Sequence, residues 1–98
     1  MNTRNSERKV FLAIARLEAD YYALFPEDYY KTIVGESKWD GFHLQHLRQM
    51  AEKREWNDMM HYFYYRLDTV LREAVQEAIQ QASPRLYQKW FFSPFNIK

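Results

Sequence analysis

Between Met60 and Ala82 the apolar residues recur every three or four positions over about six helical turns. The positions between them are polar, among them Arg66, Asp68 and Glu77. This spacing predicts one uninterrupted amphipathic helix, since no segment shows the strict alternation of a half-buried strand. The residues on its inner face are Met60, Phe63, Leu67, Val70, Leu71, Ala74, Val75, Ala78, Ile79 and Ala82.

The same spacing predicts a first helix over residues 6–24, with Asn5 or Ser6 as its N-cap. Pro26 stops that helix and begins a shorter one, which ends at Gly35. The first helix is expected to turn one face inward: Val10, Ile14, Leu17, Tyr21 and Leu24. The second helix carries Tyr29, Tyr30, Ile33 and Val34.

A third helix is expected to begin at a cap formed by Asp40 or Ser37. Beyond it the sequence leaves two readings open, a new helix capped by Asn57 or one long bent helix. Ser83 then ends the long apolar stripe and caps a last short helix with Pro84 in its first turn. The inner face of the third helix is expected to be Phe42, His46, Leu47, Met50 and Ala51.

These segments predict an all-α fold, a small antiparallel bundle of three to four main helices plus a short C-terminal helix. The 98 residues provide one hydrophobic core, so residues 1–98 are expected to form a single domain. Residues 1–5 and 93–98 are expected to be flexible tails.

Composition excludes several classes of protein. There is no cysteine, so neither a disulfide framework nor a thiolate metal site is available. No apolar run approaches the roughly 20 residues of a membrane span, and the polar first residues do not resemble a signal peptide. We expect a cytoplasmic protein that does not contact a membrane. With no Gly-rich phosphate loop and no Gly-x-Ser-x-Gly elbow, we expect neither an enzyme nor a cofactor.

The sequence is unusually rich in aromatic residues, with eight Tyr, seven Phe and three Trp. A bundle of this size has few fully buried positions, so many rings must lie partly exposed, where Tyr and Trp favour contacts with partners. We therefore expect a small regulator or inhibitor, of the kind carried by phages and mobile elements, that binds another protein and self-associates. The expected partner-binding residues are Trp39, Tyr62, Tyr65, Tyr87, Trp90, Phe91 and Phe95.

Nucleic-acid binding is the first alternative. Residues 83–98 contain Arg85, Lys89 and Lys98 and no acidic residue, and these cations lie among aromatic residues. Such a segment can hold phosphates and stack on bases. The net charge of +1 for the whole chain argues against it, because nucleic-acid binders usually carry a clear basic excess.

A metal site is the second alternative. Asp40, His43 and His46 follow one another at intervals of three residues, and Asp58 and His61 repeat the spacing. On a helix, each such pair shares a face and can present an oxygen and a nitrogen to one ion. A di-metal centre in a bundle needs further Glu ligands, and no matching motif supplies them. The favoured interpretation is a helix cap at Asp40 and ordinary half-buried or polar histidines.

Overall fold

The computed structural model describes residues 3–27 and 40–92, and this part of the chain contains helices and no strand. The prediction of an all-α fold is confirmed. The helices are α1 (Thr3–Leu24), α2 (Asp40–Glu52), α3 (Trp56–Arg66), α4 (Thr69–Ala82) and α5 (Pro84–Phe91). The second helix predicted between Pro26 and Gly35 lies mostly outside the described residues, which show Pro26 and Glu27 in helical conformation.

α1 lies at the centre of the fold and contacts α2, α4 and α5. It begins at Thr3, so the N-cap predicted at Asn5 or Ser6 is wrong, and Thr3 to Asn5 are helical. Val10 and Ile14 are fully buried, as the spacing predicts. Leu24 was expected on the same face, but its side chain is 75% exposed.

α1 and α2 run antiparallel, as the opposite chain order of their contacts shows. The contacting pairs are Tyr22 with Gly41, Glu18 with Arg48, and Glu7 with Arg54. The shortest of these contacts is the ion pair between Arg48 Nε and Glu18 Oε1, at 2.6 Å. Leu24 lies beyond Tyr22, past the residue where α2 begins. This position explains why Leu24, unlike Tyr22, is not covered by α2.

The inner face of α2 differs from the prediction. Leu44 and Leu47 are buried, whereas Phe42 and His46 are half-buried. The cause is Gly41, since a Cβ atom there would lie 2.7 Å from Cε1 of Tyr22. The missing side chain lets α2 approach α1 closely through the face that carries Gly41, and Phe42 is turned to the boundary.

α2 and α3 are two separate helices, which resolves the choice that the sequence left open. The turn between them is a Schellman motif, with hydrogen bonds from Glu55 N to Met50 O (2.9 Å) and from Arg54 N to Ala51 O (3.1 Å). Arg54 has a φ of 60°, in the left-handed region. The N-cap of α3 is Glu55, so the cap predicted at Asn57 is wrong.

The long helix predicted from Met60 to Ala82 is interrupted, which corrects the sequence interpretation. Leu67 is extended, with a ψ of 144°, and α3 ends before it. Asp68 caps α4 by accepting a hydrogen bond from Leu71 N at 2.8 Å. Val70, in the first turn of α4, is 77% exposed although it was expected inside.

Ser83 ends α4 and caps α5, as predicted. Its hydroxyl accepts a hydrogen bond from Leu86 N at 3.2 Å, and Pro84 lies in the first turn of α5. α5 then contacts α4 and α1. Residues from every described helix form the hydrophobic core: Val10, Ile14, Leu44, Leu47, Ala51, Met59, Phe63, Leu67, Leu71, Val75, Ile79 and Leu86.

Candidate functional site

Most aromatic rings of the described residues are partly exposed. Phe63 is the only aromatic side chain in residues 3–27 and 40–92 that is fully buried. Tyr65 is 74% exposed, Phe92 58% and Tyr64 46%. These three exposed rings lie on α3 or at the end of α5, so the two helices together present an aromatic face.

The order of residues on α5 explains how its rings reach α3. Leu86 inserts into the core, and Trp90 follows it by four positions on the same side of the helix. Tyr87 and Phe91 form a second pair with the same spacing, 5.0 Å apart between ring centroids. Both rows of side chains therefore lie toward the body of the protein.

Rings from α3 and α5 meet along this boundary. The ring centroids of Trp56 and Trp90 are 5.1 Å apart. Phe91 lies edge to face against Phe63 at 5.4 Å and against Tyr64 at 6.2 Å. We refer to the partly exposed rings of this boundary as the aromatic surface: Trp56, Tyr64, Tyr65, Trp90, Phe91 and Phe92.

Two clefts open on the aromatic surface, one on each side of Tyr64. The first cleft has a volume of about 220 Å³ and is lined by Trp56, Asn57, Met60, His61, Tyr64, Tyr65 and Trp90. The second cleft has a volume of about 350 Å³ and is lined by Phe63, Tyr64, Thr69, Arg72, Glu73, Gln76, Phe91 and Phe92. Tyr64 thus forms the ridge between two recesses of side-chain size.

The electrostatic environment of Tyr64 is set by burial, by Arg72 and by Tyr87. Partial burial raises the pKa of the Tyr64 hydroxyl, the positive charge of Arg72 lowers it, and Tyr87 raises it. Tyr64 is therefore a neutral hydrogen-bonding group at physiological pH.

Arg85 and Lys89 are exposed on α5, four positions apart and so on one face.

Trp56 contains a hydrogen-bond donor that its surroundings leave unsatisfied. Its indole Nε1 is buried, and no acceptor among the described residues lies within hydrogen-bond distance. A buried donor without an acceptor costs about 1–3 kcal/mol. Trp56 also lines the first cleft, although its Nε1 atom is itself buried.

The structure brings together some of the predicted partner-binding residues. Tyr65 and Trp90 line the first cleft, and Phe91 lines the second. Tyr87 contacts Phe91, and its hydroxyl accepts a hydrogen bond from Gln76 Nε2 at 3.2 Å. The predicted residues Trp39 and Phe95 lie outside the described residues.

Tyr62 is not part of the aromatic surface, because it faces α2. Its hydroxyl is 2.8 Å from His43 Nδ1, and its ring stacks on that of His46 with the two planes 8° apart. Arg66 lies over the ring at 5.4 Å, and burial raises the pKa of the Tyr62 hydroxyl while Arg66 lowers it. Tyr62 thus joins α3 to α2.

The predicted set of partner-binding residues leaves out three members of the surface, Trp56, Tyr64 and Phe92. Trp56 and Tyr64 are eight positions apart on one helix, a spacing that places them about 80° apart and so within one helical face. The sequence signal for Tyr64 was its position next to Phe63, because neighbouring helical residues point about 100° apart. With Phe63 inside, Tyr64 must lie at the boundary.

The residues considered for a metal site do not converge. His43 and His46 both contact Tyr62, while Asp58 and His61 lie exposed on α3. Across the described ranges, no group of three or more His, Asp or Glu side chains is arranged to hold a metal ion. The side chain of Asp40 lies outside what the structure describes.

A further cleft of about 380 Å³ lies between the start of α1 and the end of α2. It is lined by Arg4, Asn5, Glu7, Arg8, Phe11, Ala51, Glu52 and Arg54. Its charges are of both signs, and Arg54 Nε pairs with Glu7 Oε1 at 3.3 Å. This cleft therefore lacks the single sign of charge that would select an ionic ligand.

Within the described residues, no helix combines the length and the apolar character required to cross a bilayer. No protein-family model, curated protein or solved structure matches this chain.

Proposed function

We propose that this protein is a small non-enzymatic regulator or inhibitor that acts in the cytoplasm by binding another protein through its aromatic surface. The observation that carries the proposal is the position of Tyr64, 46% exposed between two clefts that are lined by further rings. Large aromatic side chains beside recesses are the groups that dominate the binding energy of protein interfaces.

The rings of the surface are held in place by their neighbours. Phe91 contacts Phe63, Tyr64 and Tyr87, and Trp90 contacts Trp56. A surface whose side chains are already ordered loses less conformational entropy when a partner binds. The edge-to-face contacts therefore favour tight binding by a modest area.

The proposal assigns the surface to a foreign protein rather than to a second copy of the chain. α5 carries Arg85 and Lys89 and no acidic residue, so two copies that met symmetrically through α5 would bring like charges together. Self-association through another face stays a prediction. Light scattering coupled to size exclusion measures the oligomeric state directly. If Trp90→Ala dissociated a dimer, the aromatic surface would be the contact between two copies of the chain.

The experiment that tests the proposal is affinity capture from the native host, with wild-type protein and single variants as baits and mass spectrometry as readout. Tyr64→Ala and Trp90→Ala are expected to lose a partner that the wild type captures reproducibly. Leu12→Ala and Leu24→Ala serve as matched controls, since both leucines are exposed and lie on α1 away from both clefts.

Circular dichroism of each bait establishes that helical content is retained, so that loss of a partner reports the surface and not unfolding. Capture that is equal for wild type, Tyr64→Ala and Trp90→Ala would contradict the proposal. Loss of the partner with Leu12→Ala or Leu24→Ala alone would move the interface to α1.

A further inference from the structure

We infer that the aromatic surface selects an acidic peptide segment of its partner, whose apolar side chains enter the two clefts and whose carboxylates meet cations on α5. The inference rests on the proposed function and adds the chemistry of the partner to it. It combines two features of the described residues: the charge of α5 and the composition of the cleft walls.

The charge of α5 is of one sign. Arg85 and Lys89 are both exposed, and their four-residue spacing places them about 6 Å apart along the helix axis. Lys89 directly precedes Trp90, which lines the first cleft. Carboxylates four residues apart on a helical peptide, or two apart on an extended one, have a comparable separation.

The residues that line the two clefts add little negative charge near the cations of α5. Among the described residues that line the two clefts, Glu73 is the one acidic residue, and Arg72 stands beside it in the second cleft. The described lining of the first cleft contains no acidic residue, and His61 and Asn57 are its polar groups apart from the tyrosine hydroxyls and indoles. The lining charges of the two clefts therefore balance, and the exposed cations of α5 are what favours an anionic partner.

The geometry of the rings favours a peptide over a nucleic acid. Bases stack on open, parallel ring faces. Here Phe91 lies among Phe63, Tyr64 and Tyr87, and Phe92 meets Tyr87 edge to face at 68°. Rings that cover one another's faces leave edges and recesses, which accommodate aliphatic and aromatic side chains.

The test uses a random linear peptide library displayed on phage, selected on the immobilised full-length protein. Peptides that are enriched are synthesised with a fluorophore, and their affinity is measured by anisotropy. We expect enriched peptides to carry net negative charge together with Trp, Phe or Leu, and to bind more weakly as salt is raised.

Charge-reversal variants identify the cations responsible. Arg85→Glu combined with Lys89→Glu is expected to weaken binding of the enriched peptides by about tenfold or more. Lys9→Glu combined with Arg16→Glu changes the net charge equally on exposed positions of α1 and is expected to leave the affinity within about twofold. Peptides resynthesised with Lys in place of their acidic residues should prefer the Arg85→Glu, Lys89→Glu protein.

The outcomes separate the inference from the proposed function. Enriched peptides that are neutral or basic, or an affinity that the α5 reversal leaves unchanged, overturn the acidic-partner inference. If Trp90→Ala still weakens those peptides, the proposed function stands. Peptides that bind Trp90→Ala and Tyr64→Ala as tightly as wild type contradict both. A library without enrichment also contradicts both. If single-stranded oligothymidine binds the wild type and no longer binds the Arg85→Glu, Lys89→Glu variant, the surface is assigned to nucleic acid.

Discussion

The carboxylate of Asp68 accepts a hydrogen bond from the backbone N–H of Leu71, with 2.8 Å between Oδ1 and the nitrogen. This contact begins α4 and separates it from α3. We expect Asp68→Ala to lower the free energy of unfolding by about 1 kcal/mol, the usual value of a lost N-cap. Asp68→Ser keeps a capping oxygen and should cost only a few tenths. Urea denaturation measures both, and equal losses would contradict a capping role.

Two adjacent residues in the first turn of α4 differ sharply in burial. Val70 is 77% exposed, whereas Leu71 is in the core at 7%. Leu71→Ala is expected to cost about 2–5 kcal/mol, because it leaves a cavity in packed surroundings. Val70→Ala should change the stability by less than about 0.5 kcal/mol. If one continuous helix buried both side chains, both substitutions would be costly in thermal or urea unfolding.

Arg54 occupies the left-handed position of the turn between α2 and α3, with a φ of 60°. A side chain there costs about 1–2 kcal/mol relative to glycine. We expect Arg54→Gly to raise the free energy of unfolding by about 1 kcal/mol. The lost ion pair to Glu7 is half-exposed and offsets little of this gain.

The matched control for Arg54→Gly is Lys53→Gly, the preceding residue, which is not in the left-handed region. This control is expected to be neutral or destabilising, because glycine increases the entropy of the unfolded chain. A lower stability of Arg54→Gly than of wild type in urea denaturation would show that the turn is not strained.

Tyr62 should make the stability of the protein fall at alkaline pH. Burial raises the pKa of its hydroxyl above the ordinary value of 10.0. Below about pH 10 the hydroxyl is neutral in both states, so its ionisation does not affect stability. Above it the unfolded state ionises first, and the free energy of unfolding falls until the pH exceeds the raised pKa.

Replacing Tyr62 by Phe removes this contribution, and the alkaline decline is expected to be shallower. Chemical denaturation across this pH range measures the slope, and ultraviolet absorbance of tyrosinate follows the ionisation. Tyr64, whose pKa burial also raises, contributes in the same direction, so the double variant should be flatter still. Parallel curves for wild type and Tyr62→Phe would contradict the prediction.

Some features of the fold follow from short stretches of sequence. The cap at Ser83 with Pro84 behind it is confirmed, because the side-chain oxygen and the N–H it binds are three residues apart. Val10 and Ile14 are buried as their spacing predicts. The metal-like spacing of His43 and His46 was a weaker signal, since Tyr62, distant in the chain, engages both rings.

Other features are not visible in the apolar pattern of the sequence. The apolar period runs through Leu67 and Asp68 without a visible interruption, although the chain is extended there. The face of α2 was ambiguous until Gly41 met Tyr22. Membership of Trp56 and Tyr64 in the aromatic surface required α5 to fold back onto α3.

The amino-acid sequence by itself determined the all-helical class, the boundary at Ser83 and the excess of large rings over buried positions. These properties depend on local hydrogen bonding and on composition. Only the tertiary structure decided where the long apolar period divides, which side of α2 faces inward, and which rings remain at the surface. The last two depend on residues far apart in the chain, such as Gly41 with Tyr22 and Trp56 with Trp90, whose meeting is set by packing and not by spacing. The division is made at Asp68 by a local cap, which the unbroken apolar spacing conceals.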